Sequence, residues 1–368
     1  MRVVITGGGT GGHIYPALAI AHQLKDKHND LEILYIGSQK GLERQIVSQA
    51  GLPYQFIDVE GLKRQFSIKA VKTAWLALSS ILKARKILAQ FRPDVVIGTG
   101  GYVVVPVIFA ARLLKIKTGI LELDAHTGLA NRMVMRRVDT VMLGMKNQGE
   151  SLQKAKRVVL TGNPRATEVA NWSKEQIEKC RLSFGLDQRM PVITIVSGSR
   201  GAKPINEAVK KWLSNLDQLP YRVIWITGEV HFKEIYEAFG TDVLFDGNVT
   251  ILPYYHDMPS LLYHTTVIVC RAGATTLAEI TSLGIPAILI PSPYVTHRHQ
   301  DRNASVLVEE GAAIHLPEDK LDDLTLQQTL QSLIQSESKR DAMHHASLKI
   351  GKIDALDRID EEIMHLLS

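Results

Sequence analysis

Only two cysteines, Cys180 and Cys270, occur in the 368 residues. A chain so poor in cysteine has no disulfide framework and suits a reducing compartment, where both read as ordinary thiols. Long apolar runs are equally scarce. The longest, Val103 to Ala111, is interrupted by Pro106 and stopped by Arg112, well short of the ~20 residues that a spanning helix needs. No basic segment leads into an apolar one with a cleavage site near Met1, so no secretion signal is expected. Asp-x-Asp, the usual holder of a divalent ion on a diphosphate, is missing, and His297-x-His299 alone is too little for a metal site. Neither metal nor cofactor is expected. With no recognised RNA- or DNA-binding motif, nucleic acid is an unfavoured partner.

What is present is an ordinary soluble composition, 45% hydrophobic and 22% charged, in a chain too long for one core and suited to two domains. The net charge of +5 conceals an asymmetry: residues 1–163 carry 23 Lys and Arg against 11 Asp and Glu, whereas the remainder carries 20 against 27. Gly61 to Arg92 holds eight basic residues and no acidic one. Phe66, Ile68, Val71, Trp75, Leu76, Leu78, Ile81 and Leu82 fall between them near helical spacing. Such a basic amphipathic segment suits an anionic membrane surface, or else a helix that packs its apolar face on a sheet and solvates its lysines.

Short β-branched runs alternate with helical stretches throughout. Strands are expected at Val3–Thr6, Ile33–Ile36, Gln55–Val59, Val95–Gly98, Thr118–Leu121, Thr140–Leu143 and Val158–Thr161. They resume at Val192–Val196, Arg222–Thr227, Val249–Leu252, Val267–Cys270, Ala287–Ile290 and Ala313–Leu316. This alternation predicts parallel sheets with helices on both faces, an α/β class. Each half opens as strand, glycine-rich turn and helix, so two Rossmann-like domains are expected, with the boundary near Gly162-Asn163-Pro164.

The most informative stretch is GGGTGGHIYP, Gly7 to Pro16. Glycines let backbone approach a ligand closely, and the helix that follows aims its first N–H groups and positive dipole end at it. His13 is the loop's one side chain suited to proton transfer near neutral pH. Gly7-x-Gly9-x-x-Gly12 mimics the dinucleotide fingerprint, but the second strand ends in Gly37-Ser38 with no carboxylate for a ribose, which argues against NAD. In the second half, CRAGATTLAE (270–279) follows a strand and opens a helix. Its small residues offer backbone donors to a diphosphate, Thr275 and Thr276 add hydroxyls, and Glu279 is placed for a ribose diol or simply for solvent. Ser199-Arg200-Gly201 is a second such turn, and Pro291 to Asn303 a polar loop.

Together these residues resemble the MurG family, glycosyltransferases of bacterial cell-wall synthesis. The likeness runs through GGGTGGHIYPALAIA (7–21), Gly61–Arg64, GTGGYV (98–103), Glu122-x-Asp124, Gly128–Asn131, TGNP (161–164), SGSRGA (197–202), CRAGATTLAE and His299-Gln300-x-x-Asn303. The resemblance implies a GT-B fold, two Rossmann-like domains across a central cleft: 1–163 for the acceptor and membrane surface, completed by a helix at 348–368, and 164–347 for the donor. It implies inverting transfer of GlcNAc from UDP-GlcNAc to the MurNAc 4-hydroxyl of lipid I, giving lipid II and UDP.

His13, from its place in the loop and the proton-transfer range of an imidazole, is the expected general base, with Glu122 or Asp124 as the alternative; the remaining site residues are carried over by motif. Thr10, Gly11, Gly12, Gly100, Gly101, Tyr102 and Asn131 line the acceptor side. Arg165, Ser199, Arg200, Arg271, Gly273, Ala274, Thr275, Thr276 and Glu279 hold the nucleotide, Tyr254 and Tyr255 flank the uracil, and His299 and Gln300 reach the sugar. Arg165 directly follows Pro164, where the family's arginine stands two residues after the proline. Expected partners are UDP-GlcNAc, lipid I, the cytoplasmic face of the membrane as a peripheral site, and other cell-wall and division proteins. Two alternatives are a diacylglycerol glycosyltransferase of the same fold and a non-catalytic UDP-sugar-binding protein.

Overall fold

The computed structural model describes residues 1–38, 43–59, 68–146, 149–187, 189–198, 201–216, 218–239, 243–244 and 247–368; for 68–77, 243–244 and 296 it describes the backbone alone. The chain divides into two compact units, Met1–Thr167 with Ile353–Ser368, and Glu168–Lys352.

In the first unit, strands β1 (Arg2–Thr6), β2 (Glu32–Ser38), β3 (Tyr54–Ile57), β4 (Val95–Gly98), β5 (Lys117–Glu122), β6 (Thr140–Leu143) and β7 (Val158–Leu160) form a parallel sheet. Its order among the described residues is β3-β2-β1-β4-β5-β6-β7, the doubly wound arrangement whose loops at the carboxyl ends of the strands receive ligands. Val3, Val4, Ile5, Val95, Val96 and Ile97 are all fully buried. Both faces of the sheet are covered, so its strands read as continuous apolar runs rather than alternating ones. Helices α1 (Gly11–Lys27), α2 (Glu43–Gln49), α3 (Ile68–Phe91), α4 (Val104–Leu113) and α5 (Leu129–Val134) connect the strands, and α6 (Pro164–Ala170) follows β7.

In the second unit, β8 (Val192–Val196), β9 (Arg222–Ile226), β10 (Val243–Leu244), β11 (Val249–Leu252), β12 (Val267–Cys270), β13 (Ala287–Leu289) and β14 (Ala313–His315) are ordered β10-β11-β9-β8-β12-β13-β14. β10 is antiparallel to β11, a departure from the all-parallel expectation and a strand too short to register as a pattern. Its helices are α7 (Lys174–Ser183), α8 (Lys203–Ser214), α9 (Glu229–Phe239), α10 (Met258–Leu262), α11 (Ala274–Leu283), α12 (His299–Glu309), α13 (Asp323–Ile334) and α14 (Glu337–Ile350).

The last helix, α15 (Ala355–Leu367), returns to the first unit. It buries Leu356, Ile359, Ile363 and Leu366. Lys27 to Asp357 at 2.7 Å, His28 to Asp360 at 2.8 Å and Arg157 to Glu362 at 2.7 Å fix its register.

Candidate functional site

In the first unit, pairing of Thr6 with Gly98 sets the loops after β1 and β4 side by side. Gly8 N–H donates to Gly100 C=O at 3.2 Å, and Thr99 donates its hydroxyl to His13 C=O at 2.7 Å. His13 Nδ1 lies 3.0 Å from Gly8 C=O. A carbonyl only accepts, so Nδ1 bears the hydrogen that faces Gly8, and Nε2 is the ring nitrogen left for another partner. The ring rests on Gly100, where an added Cβ would come within 2.5 Å of His13 Cδ2 and 2.8 Å of Nε2; φ there is +117°. Only glycine satisfies both the space and the backbone. Thr10 and Tyr102 are exposed at this rim, and Gly11 and Gly12 begin α1.

One carboxylate that the sequence did not single out supports the loop from beneath. Glu43, at the start of α2, is fully buried and accepts Gly9 N–H at 2.8 Å. A side chain at Gly8 would collide with it.

Glu122 behaves differently from a group offered to substrate. It ends β5, is 4% exposed, and accepts N–H groups from Asp124 (3.2 Å), Gly128 (2.8 Å) and the Asn131 side chain (3.0 Å). Burial pushes its pKa up to about 7, with the Asp124 charge adding and the donors opposing. Asn131, expected on the acceptor side, is likewise buried and also donates to Leu121 C=O at 3.1 Å. Both residues fix the 122–128 loop, because a buried carboxylate is tolerated only when hydrogen-bonded. Further along, Asn163 Oδ1 accepts Arg165 N–H at 3.0 Å, with Pro164 first in α6. TGNP is thus a helix start, with a capping Asn and a proline where its missing N–H costs nothing. Arg165 is half-buried and belongs to the first unit.

The second unit gathers most of the expected donor residues at the carboxyl end of its sheet. α11 begins after Gly273, which caps without a side-chain oxygen and beyond whose Cα lies open space. Ala274, Thr275 and Thr276 form the first turn, half-buried, and Glu279 follows one turn later, 8% exposed. Asn303, fully buried in α12, donates to Ala272 C=O at 3.1 Å and ties this turn to the next loop. Gln300 accepts Ser292 N–H at 2.9 Å and braces the loop that carries His299. His297 and Arg298 both adopt left-handed φ, +56° and +49°, conformations that cost side-chain-bearing residues energy and recur beside ligand sites. Ser199 and Arg200 lie outside the described residues, as do Gly61–Arg64 and Phe66.

Two expectations are corrected. The Arg271 guanidinium does not extend from the turn toward a nucleotide: it donates to Ile290 C=O at 2.9 Å and pairs with Glu318 at 2.5 Å. The Tyr255 side chain packs edge-on against Phe184 and donates to Cys180 Sγ at 3.4 Å, within an apolar cluster. Tyr254, 42% exposed, is the one of the pair left at the surface. Among the described residues, no group of three or more His, Cys, Asp or Glu is placed to hold a metal ion.

Comparison with known proteins agrees along the full chain. Residues 3–143 match the glycosyltransferase family 28 N-terminal domain and residues 192–359 its C-terminal domain. The UDP-N-acetylglucosamine--N-acetylmuramyl-(pentapeptide) pyrophosphoryl-undecaprenol N-acetylglucosamine transferase of Listeria welshimeri is 41% identical over 367 residues, 100% of both chains. The protein of that name in Pediococcus pentosaceus is 44% identical over 360 residues, 98% of both. The crystal structure of Acinetobacter baumannii MurG superposes with a TM-score of 0.78 at 27% identity, covering 99% of both chains. S. aureus MnaA, 17% identical with a TM-score of 0.68 over 100% of this chain and 97% of its own, shares the fold. Two Rossmann-like units, a glycine-rich turn at the carboxyl end of a central strand in each and relatives of equal length lead to one assignment: the chain belongs to the MurG family of glycosyltransferases.

Proposed function

We propose that this enzyme transfers GlcNAc from UDP-GlcNAc to the 4-hydroxyl of the MurNAc residue of lipid I, forming lipid II and UDP. The observation that carries the reading is identity above 40% across the whole chain with transferases named for that reaction. The acceptor belongs to the first unit and the donor to the second. His13 Nε2 takes the proton of the attacking hydroxyl as its oxygen bonds to the anomeric carbon. The bond from that carbon to the β-phosphate oxygen breaks with its electron pair, UDP leaves, and attack from the opposite face inverts the centre to a β1→4 link.

Charge then grows on the departing diphosphate. First-turn amides of α11, the dipole behind them and the Thr275 and Thr276 hydroxyls take up that charge in this reading. Ser199, Arg200 and Arg165 are further phosphate candidates, and Glu279 accepts the ribose hydroxyls. His299 and Gln300 serve the sugar, and Tyr254 the uracil edge. Glu122 and Asn131 act by shaping the acceptor loop, with Asp124 beside them.

Lipid I is membrane-borne, and α3 fits that setting. Leu78 and Leu82, one turn apart, are 56% and 55% exposed, and Arg85 and Lys86 are exposed on the following turn. No described helix is long and apolar enough to cross a membrane. Apolar side chains among cations suit shallow insertion into an anionic leaflet at the cytoplasmic face. Transfer of labelled GlcNAc from UDP-GlcNAc to a lipid I analogue tests the assignment. Label on the analogue and none on diacylglycerol is expected; label on diacylglycerol, or on neither, overturns it.

A further inference from the structure

The two hydrogen bonds that meet at the loop after β1 share one peptide group. Gly8 C=O accepts from His13 Nδ1 at 3.0 Å, and the N–H of that same peptide, from Gly9, donates to Glu43 Oε1 at 2.8 Å. Carboxylate, amide and imidazole therefore stand in series. A peptide whose N–H is held by a negative oxygen shifts electron density to its own carbonyl, which then accepts more strongly. We propose that Glu43 is a positioning residue of the transfer reaction, holding His13 in its Nδ1–H form through the Gly8–Gly9 peptide so that Nε2 stays free for the acceptor hydroxyl. The arrangement does through an amide what a carboxylate bound directly to a histidine does in a hydrolase triad.

Three observations support it. Glu43 is fully buried with no cation paired to it among the described residues, a costly placement for a carboxylate held only to cap a short helix. Its second oxygen, Oε2, is buried with no hydrogen-bond partner, so Gly9 N–H is the one donor it is given among the described residues. Gly8 lacks the Cβ that would strike the carboxylate, and Gly101 lacks the one that would strike Gly8 C=O. Glycine at both positions leaves the gripped peptide room on either side.

The inference rests on His13 as the base, and the test separates the two. Imidazole ¹⁵N NMR of the wild-type enzyme reads the His13 tautomer directly, and Glu43→Gln removes the charge while keeping an oxygen for Gly9. Expected are an Nδ1–H ring in the wild type and a mixed tautomer in Glu43→Gln. In that variant kcat should fall about tenfold or more, while the KM for UDP-GlcNAc stays within about twofold. An Nε2–H ring in the wild type overturns the relay whether or not the variant folds. So does unchanged kcat and tautomer in Glu43→Gln while His13→Ala loses activity. Full activity in His13→Ala instead removes the base reading itself.

Discussion

Arg271 and Glu318 meet at 2.5 Å with both side chains largely out of solvent, and the same guanidinium bonds to Ile290 C=O. One arginine thereby joins the chain leaving β12, β13 and β14, the adjacent strands under the Gly273–Thr276 turn. These contacts brace the turn after β12, whose first amides are the groups proposed above to meet the diphosphate.

Removing Glu318 leaves that guanidinium buried and short of a partner. Glu318→Ala is expected to destabilise the protein by about 3 kcal/mol in urea unfolding, in line with other broken buried pairs. UDP affinity by calorimetry should fall with it. Arg271→Lys should not rescue, since an ammonium lacks the planar fork that serves two acceptors.

Gly100 lies beneath the His13 ring with φ of +117°. In Gly100→Ala the new methyl displaces the imidazole, and kcat should drop by about 10²–10⁴, the usual worth of a general base. UDP binding, assigned above to the other unit, should be unaltered by calorimetry.

Glu122 gives the stability of the first unit a definite pH slope. Burial raises its folded pKa from 4.5 to about 7, so the folded chain holds the extra proton between those values. The stabilisation is full below the unfolded value and is lost as pH rises through about 7. Urea unfolding should show a decline on the order of 3 kcal/mol from this group between pH 5 and 8. Glu122→Gln, which cannot ionise, should flatten that decline.

The exposed pair on α3 predicts where the enzyme meets lipid. Leu78→Asp with Leu82→Asp should abolish co-sedimentation with vesicles containing anionic lipid. Transfer to a short-chain, water-soluble acceptor should remain within about twofold, because neither side chain is part of the packed core. Undiminished vesicle binding would place the lipid contact elsewhere.

The strands were legible because a parallel sheet covered on both faces demands unbroken β-branched runs, and Val3–Thr6 or Val267–Cys270 satisfy that demand locally. β10 was not, since two residues form no pattern. The site was half legible. His13 and the Gly273–Thr276 turn announce themselves, because glycine and small residues at a helix start have few other uses. Glu43, Thr99 and Glu318 carry no such local signal. Their roles come from topology: β2 and β4 flank β1, which sets the chain after each beside Gly8 and His13, and Glu318 reaches Arg271 from beyond β14. Arg271 and Tyr255 show the reverse error, a motif position whose side chain turns toward the protein interior.

In the proposed reaction a histidine in the first glycine loop, His13, removes the proton of the acceptor hydroxyl. Steady-state transfer of GlcNAc to a lipid I analogue by His13→Ala, at saturating substrates, decides this. A loss of about 10²–10⁴ in kcat with the KM for UDP-GlcNAc little changed is the result expected. A kcat equal to that of the wild type would contradict it.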